Sequence, residues 1–211
     1  MTAPQPKDLI KYYESNDYIS HAAHARSFVE HIYMLARKYT LRWKLNLLKQ
    51  YGHGQTLLDF GCGTGDFVQK ANAQGFIAQG VEPSPGARTI AMTKTIQPVH
   101  ESLAGVTTNF SHITAWHVLE HVPNLNDVLA TLNDHLEENG TMFIAVPNHE
   151  SADAKKYGAY WAGYDVPRHL WHFNKSSMHK LLSAHDLKLI NIIPMKLDAF
   201  YVSSLSEKYK H

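Results

Sequence analysis

The 211-residue chain is predicted to be an α/β protein built on a doubly wound, mostly parallel sheet with helices on both faces. Three observations predict it: short apolar runs alternate with amphipathic stretches of helical period, one run ends in a glycine-rich loop, and no internal repeat interrupts the alternation. Parallel strands buried on both faces read as near-continuous apolar runs, and the helices between them cover the two faces. With 44% apolar and 18% charged residues the chain has material for one sizeable core and little tendency to disorder.

The elements follow in order. Residues 1–20 are polar and rich in tyrosine, and read as an arm lying on the body. From about His24 to Gln50, Phe28, Val29, Ile32, Leu35 and Ala36, then Leu45 and Leu48, recur at helical spacing. That spacing predicts one or two helices interrupted near Thr40 and stopped by Gly52 and Gly54. Thr56–Phe60 is a strand, Asp66–Ala73 a helix, Phe76–Val81 a strand and Pro85–Thr93 a short helix. Val99–Leu103 is an edge strand and Ile113–Val118 a further strand. Leu125, Val128, Leu129, Leu132 and Leu136 mark a helix ended by Gly140, and Thr141–Val146 is a buried strand. An aromatic-rich insert spans 147–173. A helix at about 175–185, capped by Asn174 or Ser176, leads to a strand at Leu189–Ile193. Asp198–Ser206 is either a seventh strand or a helix leading to an absent one. Residues 1–54 thus form an N-terminal arm and helical lid, and 55–211 the main domain.

Composition excludes several classes. Lys and Arg total 20 against 19 Asp and Glu, a net charge of +1, so the electrostatic footprint of a nucleic-acid binder is missing. The single cysteine, Cys62, excludes an intrachain disulfide and a cysteine-rich zinc site. No apolar run approaches the ~18 residues of a spanning helix, so no membrane partner is expected. The N-terminal MTAPQPKDL lacks the apolar stretch of a secretory signal, and a cytoplasmic location is expected.

The chemistry concentrates in Leu57-Leu58-Asp59-Phe60-Gly61-Cys62-Gly63-Thr64-Gly65, an apolar strand running into three alternating glycines and then a helix. Glycines let the backbone turn tightly and approach a ligand closely. The third glycine comes one residue too early for the dinucleotide fingerprint, and Asp66 is a poor neighbour for a phosphate. Glu82, at the end of the second strand, is placed to accept both hydroxyls of a ribose. Asp59 is placed to meet a cationic amino group. A nucleoside bearing a sulfonium and an amino acid end, without a phosphate tail, fits these parts.

Leu57–Gly65, Glu82 and Trp116-His117-Val118-Leu119-Glu120-His121-Val122 together resemble the seven-stranded, Rossmann-like S-adenosylmethionine-dependent methyltransferases. The resemblance is nearest to the subgroup containing ubiquinone-biosynthesis O-methyltransferases, and covers about residues 55–195. It implies S-adenosylmethionine as cofactor and S-adenosylhomocysteine as product. By the resemblance, Gly61, Gly63 and Gly65 line the methionine part, with Phe60 and Cys62 contributing backbone and Asp59 near the amino group. Glu82 takes the ribose hydroxyls, and Pro83 and Ser84 border the adenine. Glu101, Ser102 and Leu103 fall at the adenine edge, Trp116 and His117 at the methyl-transfer centre, and Lys44 matches a basic residue that pairs with the cofactor carboxylate. Relatives often carry Asp where this chain has Ser111, a position read as preceding its strand and of little effect on cofactor binding. The tyrosine-rich arm from Tyr12 to His21 resembles a lid over cofactor and substrate. Proteins of this fold commonly extend further at both ends, so the chain is expected to be a fragment, and an open sheet edge would favour a homo-oligomer.

The second unusual block is Trp161-Ala162-Gly163-Tyr164-Asp165-Val166-Pro167-Arg168-His169-Leu170-Trp171-His172-Phe173. It follows the fifth strand at the carboxyl edge, where open α/β sheets bind ligands. Arg168 is a candidate for holding an acidic acceptor, and His169, then His117, for removing the acceptor's proton. The bland alternative packs the aromatics on the sheet and pairs Arg168 with Asp165. His117, Glu120 and His121 invite a metal reading, since by the resemblance relatives with Glu-His after the fourth strand sometimes bind a divalent ion. But Glu120 and His121 do not easily both aim at one ion from a helical turn and lack the H-E-x-x-H spacing, so no metal is expected. The expected function is methyl transfer to a small-molecule acceptor, at oxygen; the rivals are a macromolecular acceptor and a non-catalytic cofactor-binding or interaction protein.

Overall fold

The computed structural model describes residues 28–210, with side chains from residue 36 onward. The arm from Tyr12 to His21, expected to act as a lid, lies outside the described residues. The chain divides into two compact units, one of 28–118 with Val128–Ala145, the other of Leu119–Asp127 with 146–210.

The first unit holds the sheet. Helix α1 (Phe28–Tyr51) is continuous; the break expected near Thr40 is absent, because one β-branched residue costs a helix only a few tenths of a kcal/mol, ~0.5. Then come β1 (Thr56–Phe60), α2 (Asp66–Asn72), β2 (Ile77–Val81), α3 (Pro85–Lys94), β3 (Val99–His100), β4 (Phe110–Trp116), α4 (Leu125–Asp134, which begins in the second unit) and β5 (Leu136–Ala145). All five strands are parallel in the order β3-β2-β1-β4-β5. Neighbouring residues of β1 show why the sheet is wound on both faces. Leu57 packs with Leu45 and Leu48 of α1, Val68 and Ala71 of α2 and Ala91 of α3. Leu58 packs on the other face with Leu132 and Val128 of α4, Ile113 and Val81.

Three boundaries differ from expectation. The edge strand β3 is only two residues long, and Leu103 sits in a 3-10 turn, Leu103–Gly105. β4 begins at Phe110, so Ser111 lies inside the strand rather than before it. There it is buried, with its backbone N–H donating to Thr56 Oγ1 at 2.8 Å and its hydroxyl to Thr56 O at 2.9 Å. β5 starts at Leu136, because an irregularity accommodates extra residues: Phe110 pairs with Leu136 but His112 with Thr141. Gly140 falls in that irregular stretch, where a glycine is at home.

The second unit contains α5 (Ala152–Tyr157), 3-10 turns at Leu119–His121, Gly158–Tyr160 and Ala162–Tyr164, α6 (Lys175–Ser183) and α7 (Lys196–Lys210). Asn174 caps α6 in a reciprocal box with Ser177. Ala154, Tyr157 and Trp161 pack with Tyr164 and with Val202 of α7. The strand expected at Leu189–Ile193 does not form. Its apolar alternation is real, but no strand among the described residues pairs with it, and Ile190 and Ile192 stand exposed. Residues 198–206 take the helical alternative within α7. No helix among the described residues is long and apolar enough to cross a membrane.

Candidate functional site

The parallel order brings the carboxyl ends of β1, β2 and β4 to one edge of the sheet, and the glycine loop leaves from the middle of that edge. Gly61 N–H and Cys62 N–H both donate to Val81 O, at 2.8 and 3.0 Å, which holds the loop against the end of β2. Gly61 has φ 75° and Gly65 φ 77°, in the left-handed region that a side chain disfavours. Space enforces the same choice. A Cβ on Gly61 would stand 2.4 Å from Val118 Cγ2, and one on Gly65 2.9 Å from the Ala91 backbone.

Glu82 is buried and binds the loop from the neighbouring strand. Its Oε2 accepts the Gly63 N–H at 2.8 Å and its Oε1 the Ser84 N–H at 2.9 Å. Arg88 secures this turn by donating through Nη1 to Glu82 O (2.7 Å) and Pro83 O (2.9 Å), and through Nη2 to Glu101 at 3.2 Å. Sequence reasoning missed Arg88, since an arginine in the first turns of a helix carries no local signal of this role. Pro83, Ser84, Glu101 and Ser102 are exposed beside it, and Leu103 is half-buried.

Asp59 is 3% exposed and accepts the Thr114 hydroxyl at 2.6 Å. Burial pushes its carboxyl up to about 7, against the lowering effects of Thr114 and the Lys44 charge and with a further push from Glu82. Lys44 Nζ lies 4.5 Å from the centroid of the Trp116 ring, so these two expected site residues meet. Phe67 meets the same indole edge-on. Phe60 is half-buried at the end of β1. Cys62 is buried, and burial, then the Asp59 and Glu82 charges, push its thiol up, which excludes a nucleophilic thiolate. Asp66 is tied to Arg37, to Lys94 at 3.0 Å and to the Thr64 hydroxyl at 2.8 Å. Burial would raise its carboxyl, but these partners hold it below the usual range. His117 follows β4 with φ 59° and donates its N–H to Ala145 O at 2.9 Å.

In the second unit the insert folds onto the Leu119–His121 turn. Leu170 N–H and Trp171 N–H donate to Glu120 O at 2.7 and 3.3 Å, and the Trp171 indole N–H donates to Val122 O at 2.7 Å. Arg168 pairs with Asp165 Oδ1 through Nη2 at 2.7 Å, the pairing weighed from sequence as the bland alternative. Trp161 is buried in the insert's own packing. His169 meets His121 edge-on with ring centroids 4.6 Å apart, and burial lowers the proton affinity of both rings. His172 accompanies Tyr164, its Nε2 3.0 Å from Tyr164 O.

The donor set fits a phosphate-free nucleoside. The loop N–H that an anion would need, on Gly63, is held by Glu82, and a carboxylate there would repel a phosphate. Each Glu82 oxygen keeps acceptor capacity for a hydroxyl. A buried carboxyl raised to about 7 gains from a cation placed beside it.

Comparison with known proteins agrees. The family described as a methyltransferase domain matches residues 22–192. A ubiquinone biosynthesis O-methyltransferase of Glaesserella parasuis serovar 5 is 27% identical over 58% of this chain, and the match spans 58% of that relative's length. Among solved structures, magnesium protoporphyrin IX methyltransferase of Synechocystis PCC 6803, with bound S-adenosylhomocysteine, is similar at a TM-score of 0.65 and 16% identity, over 86% of this chain and 89% of that one. A possible histamine N-methyltransferase of Thermotoga maritima is similar at a TM-score of 0.57 and 18% identity, over 75% of this chain and 76% of that one. The chain belongs to the methyltransferase domain family, the S-adenosylmethionine-dependent enzymes that its glycine loop and Glu82 resemble.

Proposed function

We propose that the chain transfers a methyl group from S-adenosylmethionine to a small-molecule acceptor, at oxygen. The observation that carries the cofactor reading is Glu82 seated on the Gly63 and Ser84 N–H groups, which fits a ribose and disfavours a phosphate. When bound, the cofactor supplies a methyl group on a positively charged sulfur, open to in-line attack. Asp59 would hold its amino group with Lys44 at the carboxylate, and Glu82 its ribose hydroxyls. Pro83, Ser84, Glu101, Ser102 and Leu103 would border the adenine, and the loop from Phe60 to Gly65 would lie along the rest. The net charge of +1 and the name of the ubiquinone-biosynthesis relative support a small molecule and an oxygen acceptor.

Positioning provides most of the catalysis in such a displacement, and removal of the acceptor's proton assists it. Between the two histidines considered, His117 suits the base. A non-glycine residue held at φ 59° at a strand end is strain of the kind found at functional sites. His169 suits a holding role, because its Nδ1 lies 3.0 Å from Gly163 O and its Nε2 faces Asp165 Oδ2 at 3.7 Å. Trp116 would border the transfer centre beside His117. Arg168, paired with Asp165, would orient the insert.

Calorimetric titration of the chain with S-adenosylhomocysteine, with NAD as control, tests the cofactor. Micromolar binding of the first alone is expected, and equal binding of both overturns the reading. A panel of phenols, other alcohols and amines then tests the acceptor: turnover on amines alone removes the oxygen assignment, and cofactor binding with no turnover on any acceptor favours a non-catalytic binder.

A further inference from the structure

We propose that the indole N–H of Trp116 donates a hydrogen bond to the carboxylate at the amino acid end of the cofactor. The residue is then a specificity-determining group of the binding site, not packing at its border. The proposal rests on the methyl-transfer reading and deepens it. Its starting point is an unmade bond: Trp116 Nε1 is shut off from water and has no hydrogen-bond partner among the described residues. A buried donor without an acceptor destabilises the chain that carries it, and native proteins keep few of them.

The register of the sheet points to the ligand atom. Asp59 of β1 stands opposite Thr114 of β4, and the Thr114 hydroxyl donates to Asp59 Oδ1 at 2.6 Å. Side chains two apart along a strand leave the same face, so Trp116 leaves the sheet on the face that holds Thr114 and the Asp59 carboxyl. There it packs against the cluster containing Leu45 of α1 and Phe67 of α2, with Phe67 edge-to-face at a centroid distance of 5.7 Å. Lys44 reaches the same ring from α1, with Nζ 4.5 Å from the centroid, and its charge acts on Asp59 as well. One acid, one cation and one unused N–H therefore share one face at the strand ends.

An amino acid end presents an ammonium beside a carboxylate. The ammonium suits Asp59. The carboxylate has two oxygens with about four acceptor sites, more than one lysine fills, and hydrogen bonds to a charged acceptor are the stronger kind. Lys44 supplies charge on a flexible stem, and the indole, braced by Phe67, supplies a fixed direction. That stem is part of the ring's cover and can follow the carboxylate, which opens the approach to Nε1. The Trp161 indole N–H is also buried without a partner, but its ring is enclosed by the aromatic packing of Tyr157 and Tyr164. The cation on its ring and the acid on its face set Trp116 apart.

The test pairs W116F, which removes the N–H and keeps a ring for Lys44 and Phe67, with two ligands that differ only in the carboxylate. These are S-adenosylmethionine and its decarboxylated form. In calorimetric titration of the full chain, W116F should weaken S-adenosylmethionine about tenfold or more and bind the decarboxylated form as the wild type does. Equal weakening of both ligands makes the ring a packing element, and no weakening of either sends the N–H elsewhere, such as to an acceptor oxygen; each overturns the proposal. Magnetic resonance of the indole N–H protons in the wild type decides if W116F does not fold. The Trp116 signal should move downfield with S-adenosylmethionine, as on hydrogen bonding to an anion, and less with the decarboxylated form. An unmoved signal at saturation overturns the proposal and leaves the cofactor reading standing, whereas a wild type that binds neither ligand overturns both.

Discussion

Glu82 joins two strand ends with one carboxylate: Oε2 accepts the Gly63 N–H at 2.8 Å and Oε1 the Ser84 N–H at 2.9 Å. The bond to Gly63 reaches across from β2 to the loop after β1, and the bond to Ser84 is local to its own turn. The acid therefore shapes the loop as well as offering itself to a ligand. Two roles in one group make its substitution informative.

E82Q keeps the size but turns one acceptor into a donor. That donor would face a backbone N–H, leaving one hydrogen bond unmade at a buried site. We expect a stability loss of about 1–3 kcal/mol. Loss of the charged acceptor should also weaken S-adenosylhomocysteine by roughly thirtyfold, equivalent to about 2 kcal/mol. Urea unfolding and calorimetric titration measure the two. Full ligand affinity in a destabilised E82Q would reduce Glu82 to a structural tie.

Asp59 is expected to show the opposite balance, with D59N stabler but a poorer binder. Its carboxyl is raised from 3.8 to about 7 by burial, so the folded state holds a proton that the unfolded state releases near pH 4. Stability from this group is fully present below the unfolded value and is lost as pH rises through about 7. The buried rings of His112, His121 and His169 carry the other sign: burial lowers their proton affinity, so they favour unfolding as pH falls below about 6.5. The histidine contribution is common to the wild type and D59N, so their difference isolates Asp59. Relative to D59N, the ligand-free wild type should lose on the order of 1 kcal/mol between about pH 6.5 and 8. Urea midpoints across that range decide it, and parallel slopes in the two proteins would assign the loss elsewhere.

The local features were legible because they depend on neighbours in sequence. Leu57 and Leu58 read as a strand, the glycines as a loop, and Asn174 as a cap, since each signal sits within a few residues of its effect. Pairing is not local. Leu189–Ile193 has the pattern of a strand and no partner among the described residues, and β5 gained its first turn of chain through an irregularity against β4. The same limit hid the site's longer links. Arg88 on the carbonyls of Glu82 and Pro83, and His169 beside Glu120 and His121, depend on how segments meet. The residue types were visible, and their meeting was not.

His117 is expected to be held in place at a cost to stability. A side chain at φ 59° costs about 1 kcal/mol or more relative to glycine, partly offset by the greater freedom of glycine in the unfolded chain. H117G should therefore unfold at the same or a higher urea concentration than the wild type, while methyl transfer slows and S-adenosylhomocysteine affinity changes little. A destabilised H117G with normal turnover would mean that the side chain is kept for packing and would retire it as the base.

Gly61 is needed for two separable reasons, conformation and space, and a double-mutant cycle can divide them. An alanine there keeps φ 75°, a conformation that costs roughly 1–2 kcal/mol with a Cβ. Its Cβ would also stand 2.4 and 2.9 Å from the two Val118 methyls, an overlap that must be relieved by movement and typically costs about 1–3 kcal/mol. G61A alone should therefore lose both amounts. In a V118A background the overlap disappears and only the conformational part remains, so the two substitutions should couple favourably by about 1 kcal/mol or more. Strict additivity in urea unfolding would show that the chain moves Val118 aside without cost, leaving the left-handed backbone as the whole reason for the glycine.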